Sequence, residues 1–568
     1  MITQASLDTT VGAVVHPTVD WHQINWGQVH KTVRRLQKRI VEAHKHGRYG
    51  KVKALQHLLT RSFSAKAMAV KRVTENHGRR TAGVDKVIWD NAAKKAKAIQ
   101  QLRSRDYHPQ PVRRVYLKKS NGKLRPLGIP TMKDRAMQAL HLLALEPIAE
   151  TTADLNSYGF RTKRSAHDAI AQSFIALSHH NSAQWILEAD IQSCFDNISH
   201  TWLLNNIPME KRMLDKWLKA GFLDHHVFHP TEEGTPQGSI ISPVLANMTL
   251  DGLERKLIES FPKGRRNHPK VNLIRYCDDF IVTGCSQELL TQQVQPLVEE
   301  FLQERGLTLS PHKTRVTHID EGFDFLGFNL RKYPGKFFIK PSRKNIQQLI
   351  DKVRLLIRAN RQARASSLIR LLNPLLKGWC NYYRHVVSKK VFTNISAMLF
   401  RMVWRWACRR HPGKSKKWIR AKYYTTVGGR NWVFFAQVIY HGKDQTLTLF
   451  QPANVLIVRH IKVRGPANPY DPVWESYFEQ RDDRRMRLSL KERRQLLELW
   501  KEQQGQCAVC QDRITPQTGW HSHHIVWRVN GGSDHISNRV LLHPICHRQV
   551  HARNLKVEKP YPRWPRPG

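Results

Sequence analysis

The stretch VNLIRYCDDFIVTG, residues 271–284, consists of two apolar, β-branched runs with Asp278 and Asp279 between them. This pattern predicts a strand, a tight turn and a second strand. Two adjacent carboxylates at the tip of a turn can face divalent cations, whereas the same pair inside a core would be unpaired at prohibitive cost. Taken alone, an Asp-Asp pair is more typical of a solvated turn, so a catalytic interpretation needs support from the rest of the chain.

A second apolar stretch, WILEADIQSCFD at 185–196, predicts a strand that ends at Asp190. Transfer of a nucleotide to a 3′-hydroxyl needs two metal ions about 4 Å apart, one to lower the pKa of the hydroxyl and one to hold the triphosphate. Three convergent carboxylates suffice to hold such a pair. We therefore predict that Asp190, Asp278 and Asp279 are catalytic and bind two Mg²⁺ ions.

The charge of the chain indicates a polyanionic partner. In 568 residues, 93 Lys and Arg outnumber 45 Asp and Glu, which gives a formal net charge of +48. A compact protein with this charge repels itself unless a polyanion such as nucleic acid neutralises it. A solubilising or ribosome-like basic surface is the alternative. We see neither a signal-peptide pattern nor a run of roughly 20 apolar residues, and expect a soluble, cytoplasmic protein that binds no membrane.

Shifts in residue pattern divide the chain. Residues 28–72 are helical and basic, 110–330 alternate strands and helices, and between 340 and 450 strands fade and basic helices take over. In the middle part we expect a hairpin over 116–130 that turns at Asn121-Gly122, and helices over 133–150 and 286–305. The centre of the chain is therefore predicted to be mixed α and β.

The C-terminal part holds a Cys/His pattern that is typical of a metal site. Cys507 and Cys510 form a C-x-x-C, and His543 and Cys546 form an H-x-x-C thirty-odd residues later. Two such pairs can complete a tetrahedral structural Zn²⁺ site, which a unit with so small a core needs. A degenerate site without zinc is the alternative, and His543 is the least typical ligand. The other cysteines are scattered and do not form a disulfide framework.

Further histidines are interleaved with these ligands. His523-His524 and Asn538 lie between the two pairs, and His547 and His551 follow the second. Because His547 and His551 are four residues apart, a helix would present both imidazoles on one face. By itself, this arrangement is also compatible with a purely structural histidine cluster.

Eight short blocks follow one another in a defined order along the chain. They are GRRTAGVD (78–85), LRPLGIPTMKDRAMQ (124–138), NSYGFR (156–161), ADIQSCFDNISH (189–200), GTPQGSIISPVLANMTLD (234–251), RYCDDF (275–280), LSPHKT (309–314) and FDFLGF (323–328). In this order and spacing they resemble the reverse transcriptases that group II introns encode. The resemblance continues through LNPLLKGWCNYYRH at 372–385, which is similar to the thumb or maturase region, into a C-terminal HNH nuclease.

This resemblance implies an α+β multidomain fold: a right-hand polymerase of fingers, palm and helical thumb, with a C-terminal ββα-metal HNH nuclease domain. The implied domains are an N-terminal extension with the start of the fingers (1–90), the fingers and palm (91–335), the helical thumb or maturase region (336–450), a DNA-binding or linker region (451–490), and the HNH domain with its zinc site (491–568).

The resemblance also implies roles for the polymerase residues. Asp190 and Asp278 would be the principal metal ligands, with Asp279 the third acidic residue. Phe195 would exclude a ribose 2′-hydroxyl and Gln237 would lie against the incoming nucleotide; alternatively, Phe195 is a core residue and Gln237 caps a turn. The triphosphate of the dNTP would be held by basic fingers residues: Arg125 with Lys118 or Lys123.

Two positions depart from the family pattern. Cys277 stands where alanine is usual, and Ser239 stands where glycine is frequent. Both residues are small and neither replaces a ligand, so we expect activity to survive. A cysteine beside the carboxylates can still alter fidelity or metal preference.

In the nuclease, the resemblance assigns His523, His547 and His551 to a catalytic divalent cation. His524 would activate water, since a neutral imidazole suits a general base at pH 7. Asn538 would brace the loop between the strands.

The stretch 401–420, RMVWRWACRRHPGKSKKWIR, holds eight Lys or Arg and no acidic residue. Basic side chains can reach phosphates while aromatic side chains stack on unpaired bases or pack inward. For Trp404, Trp406 and Trp418 we favour inward packing. Contact with RNA phosphates is predicted for Arg401, Arg405, Arg409 and Arg410.

The sequence thus predicts a group II intron-encoded protein whose partners are its intron RNA, target DNA and dNTPs. It would act as an RNA-directed DNA polymerase, assist splicing as a maturase, nick target DNA and copy the intron RNA from the nick. A domesticated or CRISPR-linked reverse transcriptase is one alternative, against which the intact nuclease and maturase-like segments count. A non-catalytic RNA chaperone is the other, and the retained aspartates and histidines argue against it.

Overall fold

The computed structural model describes residues 19–560 apart from 119–121, 123, 226, 263, 265–267, 441–442 and 492. Its α-helices are α1 (Trp26–Lys45), α2 (Tyr49–Arg61), α3 (Phe63–Glu75), α4 (Ala92–Gln101), α5 (Met132–Thr152), α6 (Ala166–Leu177), α7 (Cys194–Asn197), α8 (His200–Asn206), α9 (Lys211–Leu218), α10 (Ser242–Leu250), α11 (Leu253–Ser260), α12 (Gln287–Leu289), α13 (Gln295–Gln303), α14 (Arg343–Ala359), α15 (Ala365–Tyr383), α16 (Lys389–Arg410), α17 (Lys416–Tyr423), α18 (Glu475–Leu490), α19 (Arg494–Glu502) and α20 (Pro544–Arg553). Its strands are β1 (Val112–Lys118), β2 (Leu124–Ile129), β3 (Trp185–Asp190), β4 (Phe222–Asp224), β5 (Val227–His229), β6 (Asn272–Tyr276), β7 (Asp279–Gly284), β8 (Arg315–His318), β9 (Phe323–Phe325), β10 (Phe328–Tyr333), β11 (Lys336–Pro341), β12 (Tyr424–Val427), β13 (Arg430–Tyr440), β14 (Lys443–Thr448), β15 (His521–His524) and β16 (Arg539–Leu542).

The chain folds as two compact units. The first comprises the described residues up to Ala153, Phe195–Thr249, and those from Ala467 onward. The second comprises Asp154–Cys194 and Leu250–Pro466. Because each unit is assembled from separate stretches of chain, the contiguous domain ranges given above stay a prediction.

The second unit contains an antiparallel sheet in the order β6-β7-β3-β8, which we call the palm sheet. The two runs around the Asp pair form β6 and β7, and the turn between them holds Cys277 and Asp278. The predicted strand, turn and strand is therefore confirmed. The sheet is anchored by apolar residues of its central strands, which are at most 1% exposed: Ile186, Leu187, Ile281 and Val282.

Two helices predicted from apolar spacing are present. The helix expected over 133–150 is α5, and the helix expected over 286–305 consists of α12, a π-helical turn at Leu290–Val294 and α13. Leu290 and Val294 are fully buried in that turn, so the extra residue keeps the apolar face on the core. Among the helices of the described residues, none is long and apolar enough to cross a bilayer.

The helical part of the second unit, which we call the thumb, packs α14, α15 and α16 around a core that includes Leu368, Leu372 and Val403. The expectation that strands fade through residue 450 is wrong for 424–448, where β12, β13 and β14 form an antiparallel sheet. Its sequence carries the signal: β-branched and aromatic residues flank a Gly428-Gly429 turn. The basic helical pattern upstream had been extended too far.

In the first unit, α1, α2 and α3 pack against α5, and a fingers sheet follows in the order β2-β1-β4-β5. β1 pairs antiparallel with β2 and parallel with β4. The predicted hairpin over 116–130 is formed by β1 and β2, while Asn121 at its expected turn lies outside the described residues.

The same unit ends in a ββα arrangement of β15, β16 and α20. This part rests on the N-terminal segment, because the Gln549 side-chain amide donates to the backbone oxygens of His22 and Ile24 at 2.9 and 2.8 Å. His30 Nδ1 also lies 3.0 Å from a carboxylate oxygen of Asp512. The C-terminal motif is thus packed onto α1 and the residues before it.

Candidate active sites

Three acidic residues lie at one end of the palm sheet. Asp190 ends β3, Asp279 begins β7, and the register of the two strands places them directly opposite each other. Side chains opposed in this way have Cβ atoms about 4.5–5.5 Å apart. Asp278 occupies the adjoining turn, where Cys277 adopts a left-handed backbone with φ of 60°. The structure therefore brings the three predicted catalytic aspartates together.

Negative charge predominates at this site, where three carboxylates lie near one lysine. Desolvation, and then repulsion from Asp278 and Asp190, raises the pKa of the Asp279 carboxyl. The Lys313 ammonium donates a hydrogen bond to Asp190 Oδ2 at 2.6 Å, and this contact raises the pKa of Lys313. Closely spaced carboxylates do not all ionise without a compensating cation, and carboxylate oxygens are preferred Mg²⁺ ligands. The residues present thus fit a divalent metal pair.

Lys313 is a residue that sequence reasoning missed. It lies in LSPHKT, one of the blocks quoted above, and the backbone N–H of Ser310 in the same block donates to the Asp190 carbonyl at 2.8 Å. The sequence signal for this role was the presence of a basic residue in a block already quoted for its resemblance to reverse transcriptases.

Two buried features hold the Asp-bearing turn in place. A Cβ added to Gly159 would lie 2.4 Å from the backbone nitrogen of Cys277, so only glycine lets these segments approach so closely. Arg275 is fully buried, forms an ion pair with Asp251 and lies 4.0 Å from Asp154. Removing one partner of a buried ion pair typically costs about 3–5 kcal/mol, because it leaves the other charge unpaired. Arg275 is therefore a structural support of the turn.

The two departures from the family pattern are buried. Cys277 is 2% exposed and Ser239 is 5% exposed. Burial, and then the neighbouring Asp278, raises the pKa of the Cys277 thiol. The thiol therefore stays neutral at ordinary pH and adds no further charge beside the carboxylates.

In the first unit, three of the fingers-side residues form a hydrogen-bonded chain. Arg125 Nε donates to Gln237 Oε1 at 3.0 Å, and Gln237 Nε2 donates to Asp196 Oδ2 at 3.0 Å. The backbone N–H of Gly128 in the same fingers hairpin donates to the Gln237 carbonyl at 2.7 Å. Arg125 and Gln237, which the sequence assigned to one nucleotide, are thus adjacent.

The remaining nucleotide-binding candidates differ in their surroundings. Phe195 is 9% exposed and largely buried, and its carbonyl accepts from the Thr235 N–H at 2.6 Å. Lys118 is exposed at the end of β1. Lys123 lies outside the described residues.

The thumb contains an arginine-rich cavity of about 900 Å³. Its arginines come from α14, from the turn that follows α14 and from α16: Arg354, Arg358, Arg361, Arg405, Arg409 and Arg410. Sequence reasoning found those of α16 and missed those of α14, although their spacing places them on one helix face. The fourth predicted RNA contact, Arg401, lines a different cavity.

The thumb tryptophans follow the inward-packing expectation only in part. Trp406 is 4% exposed and its indole donates to the Asn360 carbonyl at 3.0 Å, whereas Trp418 is 37% exposed. Trp404 is half-buried beside Trp432, with ring centroids 5.6 Å apart.

The predicted zinc ligands come together in the C-terminal motif. Cys507, Cys510, His543 and Cys546 place their ligand atoms within 4.8 Å of one another. His543 Nδ1 faces Cys510 Sγ at 3.3 Å, while its Nε2 lies 3.1 Å from the Arg513 carbonyl. A hydrogen bond from Nε2 to a carbonyl leaves Nδ1 as the ligand atom. Three thiolates and one imidazole are a donor set that suits Zn²⁺.

The second histidine set also converges. His523 on β15 and His547 and His551 on α20 place their ligand nitrogens within 4.8 Å of one another. Asn538 accepts from the Val526 N–H at 2.8 Å and donates to the Val526 carbonyl at 3.0 Å, so it ties the loop after β15 to the start of β16. Three imidazoles with further positions open to water or phosphate fit a catalytic divalent cation.

His524 lies beside this set and has a partner that sequence reasoning missed. Its Nε2 is 2.8 Å from Asp534 Oδ1, and Arg528 donates to the same oxygen. The carboxylate fixes the imidazole through Nε2 and leaves Nδ1 to act on water. Asp534 directly follows GGS in the sequence, where a lone acid in a loop gives no signal of its role.

Family models match four parts of the chain. They are the N-terminal domain of reverse transcriptase at 21–102, reverse transcriptase (RNA-dependent DNA polymerase) at 116–330, the group II intron maturase-specific domain at 346–424, and HNH endonuclease at 507–553. The palm sheet and its aspartates lie within the second match, and both histidine-containing sites lie within the fourth.

Curated relatives agree with these matches. Protein YkfC of Escherichia coli is 34% identical over 307 residues, covering 46% of this chain and 79% of YkfC. The group II intron-encoded protein LtrA of Lactococcus lactis is 29% identical over 409 residues, covering 56% of this chain and 68% of LtrA. A telomerase structure from Candida albicans aligns at 12% identity over 57% of this chain and 65% of that chain, with a TM-score of 0.30 that is too low to carry an argument.

Proposed function

The chain belongs to the group II intron-encoded reverse transcriptases, and from that premise we propose that it copies its parent intron RNA from a nick in target DNA and assists the splicing of that RNA. It is an RNA-directed DNA polymerase with a right-hand fold, and its C-terminal ββα motif is an HNH endonuclease. Its substrates would be dNTPs, and its partners the intron RNA and the target DNA. A cytoplasmic, ribonucleoprotein-associated location follows from these partners.

For DNA synthesis, we propose that Asp190, Asp278 and Asp279 hold two Mg²⁺ ions. Ions bound there lower the pKa of the primer 3′-hydroxyl and neutralise the triphosphate. The chain contributes positioning, since the register of β3 and β7 opposes Asp190 and Asp279. Lys313 neutralises part of the negative charge on Asp190.

The nucleotide itself would be held by the fingers. Arg125, with Lys118 or Lys123, would bind the triphosphate, since a planar guanidinium matches phosphate oxygens in pairs. Gln237, already fixed by its hydrogen bond from Arg125, would contact the incoming nucleotide. Phe195 would exclude a ribose 2′-hydroxyl by its bulk.

For DNA nicking, we propose that His523, His547 and His551 hold one divalent cation, which stabilises charge on the phosphate. His524 would take a proton from the attacking water at Nδ1, with Asp534 fixing its ring. Asn538 would hold the loop that carries Asp534, since its amide also donates to the Ser533 carbonyl at 2.8 Å. A structural Zn²⁺ on Cys507, Cys510, His543 and Cys546 would stabilise the motif.

For RNA binding, we propose that the arginine cavity of the thumb accepts the intron RNA backbone. Six guanidinium groups around one concave surface would repel one another without a polyanion. Arg405 and Arg409 are exposed in this cavity and free to reach phosphate, whereas Arg410 donates to the Ala363 carbonyl at 2.7 Å.

The observation that carries the polymerase proposal is the opposition of Asp190 and Asp279 beside Asp278. Primer extension on an RNA template should fall by about 10³-fold or more in Asp278→Ala, because several kcal/mol of charge stabilisation are lost. RNA binding should be unchanged. Asp320→Ala, which removes an exposed aspartate after β8 at the other end of the palm sheet, is the matched control and should extend normally. Near-normal extension by Asp278→Ala would remove the catalytic assignment of this residue, whereas absence of extension by the wild type would favour a splicing chaperone.

A further inference from the structure

A second thumb cavity, of about 430 Å³, lies between α16, the turn that joins β12 to β13, and the residues that follow β14. Its size falls in the range of small-ligand pockets. α16 contributes Phe400 and Arg401, the two strands contribute Tyr424 and Trp432, and Gln451 closes one side. No residue with a carboxylate is found among its described lining residues.

Aromatic rings form the walls of this cavity. Phe400 and Trp432 are each 39% exposed, and their ring centroids lie 6.0 Å apart at an interplanar angle of 82°. Tyr424 lies 5.8 Å from Phe400 and 5.6 Å from Trp432. Exposed apolar side chains gathered in one concave place are typical of a binding site. Because the two rings are nearly perpendicular, a planar ligand can stack on one of them and meet the other edge-on.

The cavity also contains an unsatisfied polar group. Tyr424 is 7% exposed, and within the described residues its hydroxyl has no hydrogen-bond partner. Buried hydroxyls are nearly always paired, so an unpaired one on a residue that lines the cavity is a candidate partner for a ligand. Asn431 is a second polar residue of the lining, and its Oδ1 accepts from the Thr426 hydroxyl at 2.7 Å. A ligand with both donors and acceptors on its edge suits this lining.

The backbone is strained where it presents the indole. Trp432 has φ of 62°, a left-handed conformation that is unfavourable for a bulky side chain. Gly428 and Gly429 just before it also have positive φ, of 54° and 76°. Strain of this kind persists where the surroundings enforce it and is frequent at ligand sites. The start of β13 therefore holds Trp432 beside the cavity at a conformational cost.

Positive charge surrounds the same place. Arg401 and Arg430 line the cavity, and the Arg420 guanidinium lies 4.6 Å from the centre of the Trp432 ring. Arg430 donates to Asn454 at 2.9 Å, whereas Arg401 is exposed and can reach the phosphate of a bound nucleotide. Aromatic walls for a base beside a cation for its phosphate are the usual elements of single-strand binding.

We propose that this cavity binds one unpaired nucleobase of an RNA strand, stacked on Trp432 and packed edge-to-face against Phe400, with its edge hydrogen-bonded to the Tyr424 hydroxyl. The inference rests on the proposed RNA-binding function and adds a base-contacting site to the phosphate-contacting arginines. RNA is favoured over DNA because Phe400 and Tyr424 lie within the residues that match the maturase-specific domain.

Fluorescence of 2-aminopurine placed within a short, unstructured RNA oligonucleotide tests this directly on the full chain. Binding should quench the fluorescent base, and Trp432→Ala should abolish the quenching and weaken affinity at least about fivefold, the lower range for loss of one base–aromatic stack. The salt dependence of affinity should stay unchanged, because stacking releases no counterions. Trp418→Ala is the matched control: it removes an equally exposed thumb tryptophan that does not line the cavity.

The Tyr424→Phe variant distinguishes an effect on RNA affinity from an effect on folding stability. Removing an unpaired buried hydroxyl should leave the melting temperature equal or higher, yet RNA affinity should fall severalfold because the base loses a hydrogen bond. Unchanged affinity in both Trp432→Ala and Tyr424→Phe, with wild type binding RNA normally, would overturn the pocket and leave the proposed function intact. Tighter binding and stronger quenching with the matching DNA oligonucleotide would overturn the assignment to RNA. Failure of wild type to bind any RNA would instead refute the proposed function.

Discussion

The polymerase and nuclease sites differ in how the chain assembles them. Asp190 and Asp279 are separated by about ninety residues, and only the register of β3 and β7 brings them together. The nuclease residues all come from one short ββα motif, and the zinc ligands beside them replace the core that so small a motif lacks. The geometry of a site formed by sheet register depends on a large core, whereas the geometry of a site formed within one short motif depends on its structural metal.

The two sites also differ in the chemistry of their ligands. The palm offers carboxylates, which suit Mg²⁺ and repel one another until it binds. The C-terminal motif offers neutral imidazoles in one set and mainly thiolates in the other, and both suit softer cations than Mg²⁺.

Removal of a zinc ligand should affect the nuclease most severely. In Cys507→Ser we expect loss of zinc and of all measurable nicking, because metal binding supplies much of the folding free energy of such a motif. Zinc content and nicking are measured together, with Cys285→Ser, at an exposed palm cysteine, as the control. Full nicking by a zinc-free protein would show that the motif folds without this metal.

Loss of the general base should leave the metal sites intact. His524→Ala is expected to lower nicking by about 10²- to 10⁴-fold without change in zinc content. Asp534→Asn, which only weakens the orientation of that imidazole, should have a smaller effect in the same direction. His521→Ala, on the same strand but outside the ligand set, serves as the control. Normal nicking by His524→Ala would mean that another group activates water.

The thumb arginines should contribute to RNA affinity through ionic contacts with phosphates. Replacing Arg405 and Arg409 with glutamine should lower RNA affinity and reduce the slope of log affinity against log salt by about 0.7 for each lost phosphate contact. Arg255→Gln, at an exposed position of α11, should leave the slope unchanged. An unaltered slope in the double variant would place the RNA backbone elsewhere.

The smallest effect is expected at Lys313. Its ammonium competes with a cation for Asp190, so Lys313→Met should lower the Mg²⁺ concentration for half-maximal DNA synthesis. The shift should be at most about fivefold, since an ion pair with an exposed partner contributes about 0.2–1 kcal/mol. Lys352→Met, at an exposed position of α14, is the control. A higher Mg²⁺ requirement in Lys313→Met would show that the lysine assists the metals.

The palm shows what sequence could supply and what it could not. The alternation of apolar residues around Asp278 was enough to predict two strands and a turn, because that pattern is local. Lys313, Gly159 and Arg275 were missed as supports because their roles depend on partners that only the fold brings near. All three residues lie within quoted blocks, LSPHKT, NSYGFR and RYCDDF. The resemblance therefore located these residues but did not indicate what they contact.

The thumb and the nuclease show the same limit. The sheet over 424–448 was overlooked because the pattern of the preceding helices was extended across a Gly-Gly turn. The zinc and histidine sets could be predicted because ligand spacing within a short motif fixes geometry almost by itself. Asp534 could not, since nothing in a loop sequence indicates that its carboxylate reaches His524.

We propose that this chain carries two metal-dependent active sites that work independently. Primer extension from a pre-annealed primer and nicking of duplex DNA, measured side by side on Asp278→Ala and His524→Ala, test it most directly. We predict that Asp278→Ala loses extension and nicks normally, and that His524→Ala loses nicking and extends normally. Loss of both activities in either variant, with its fold and zinc content unchanged, would contradict the account.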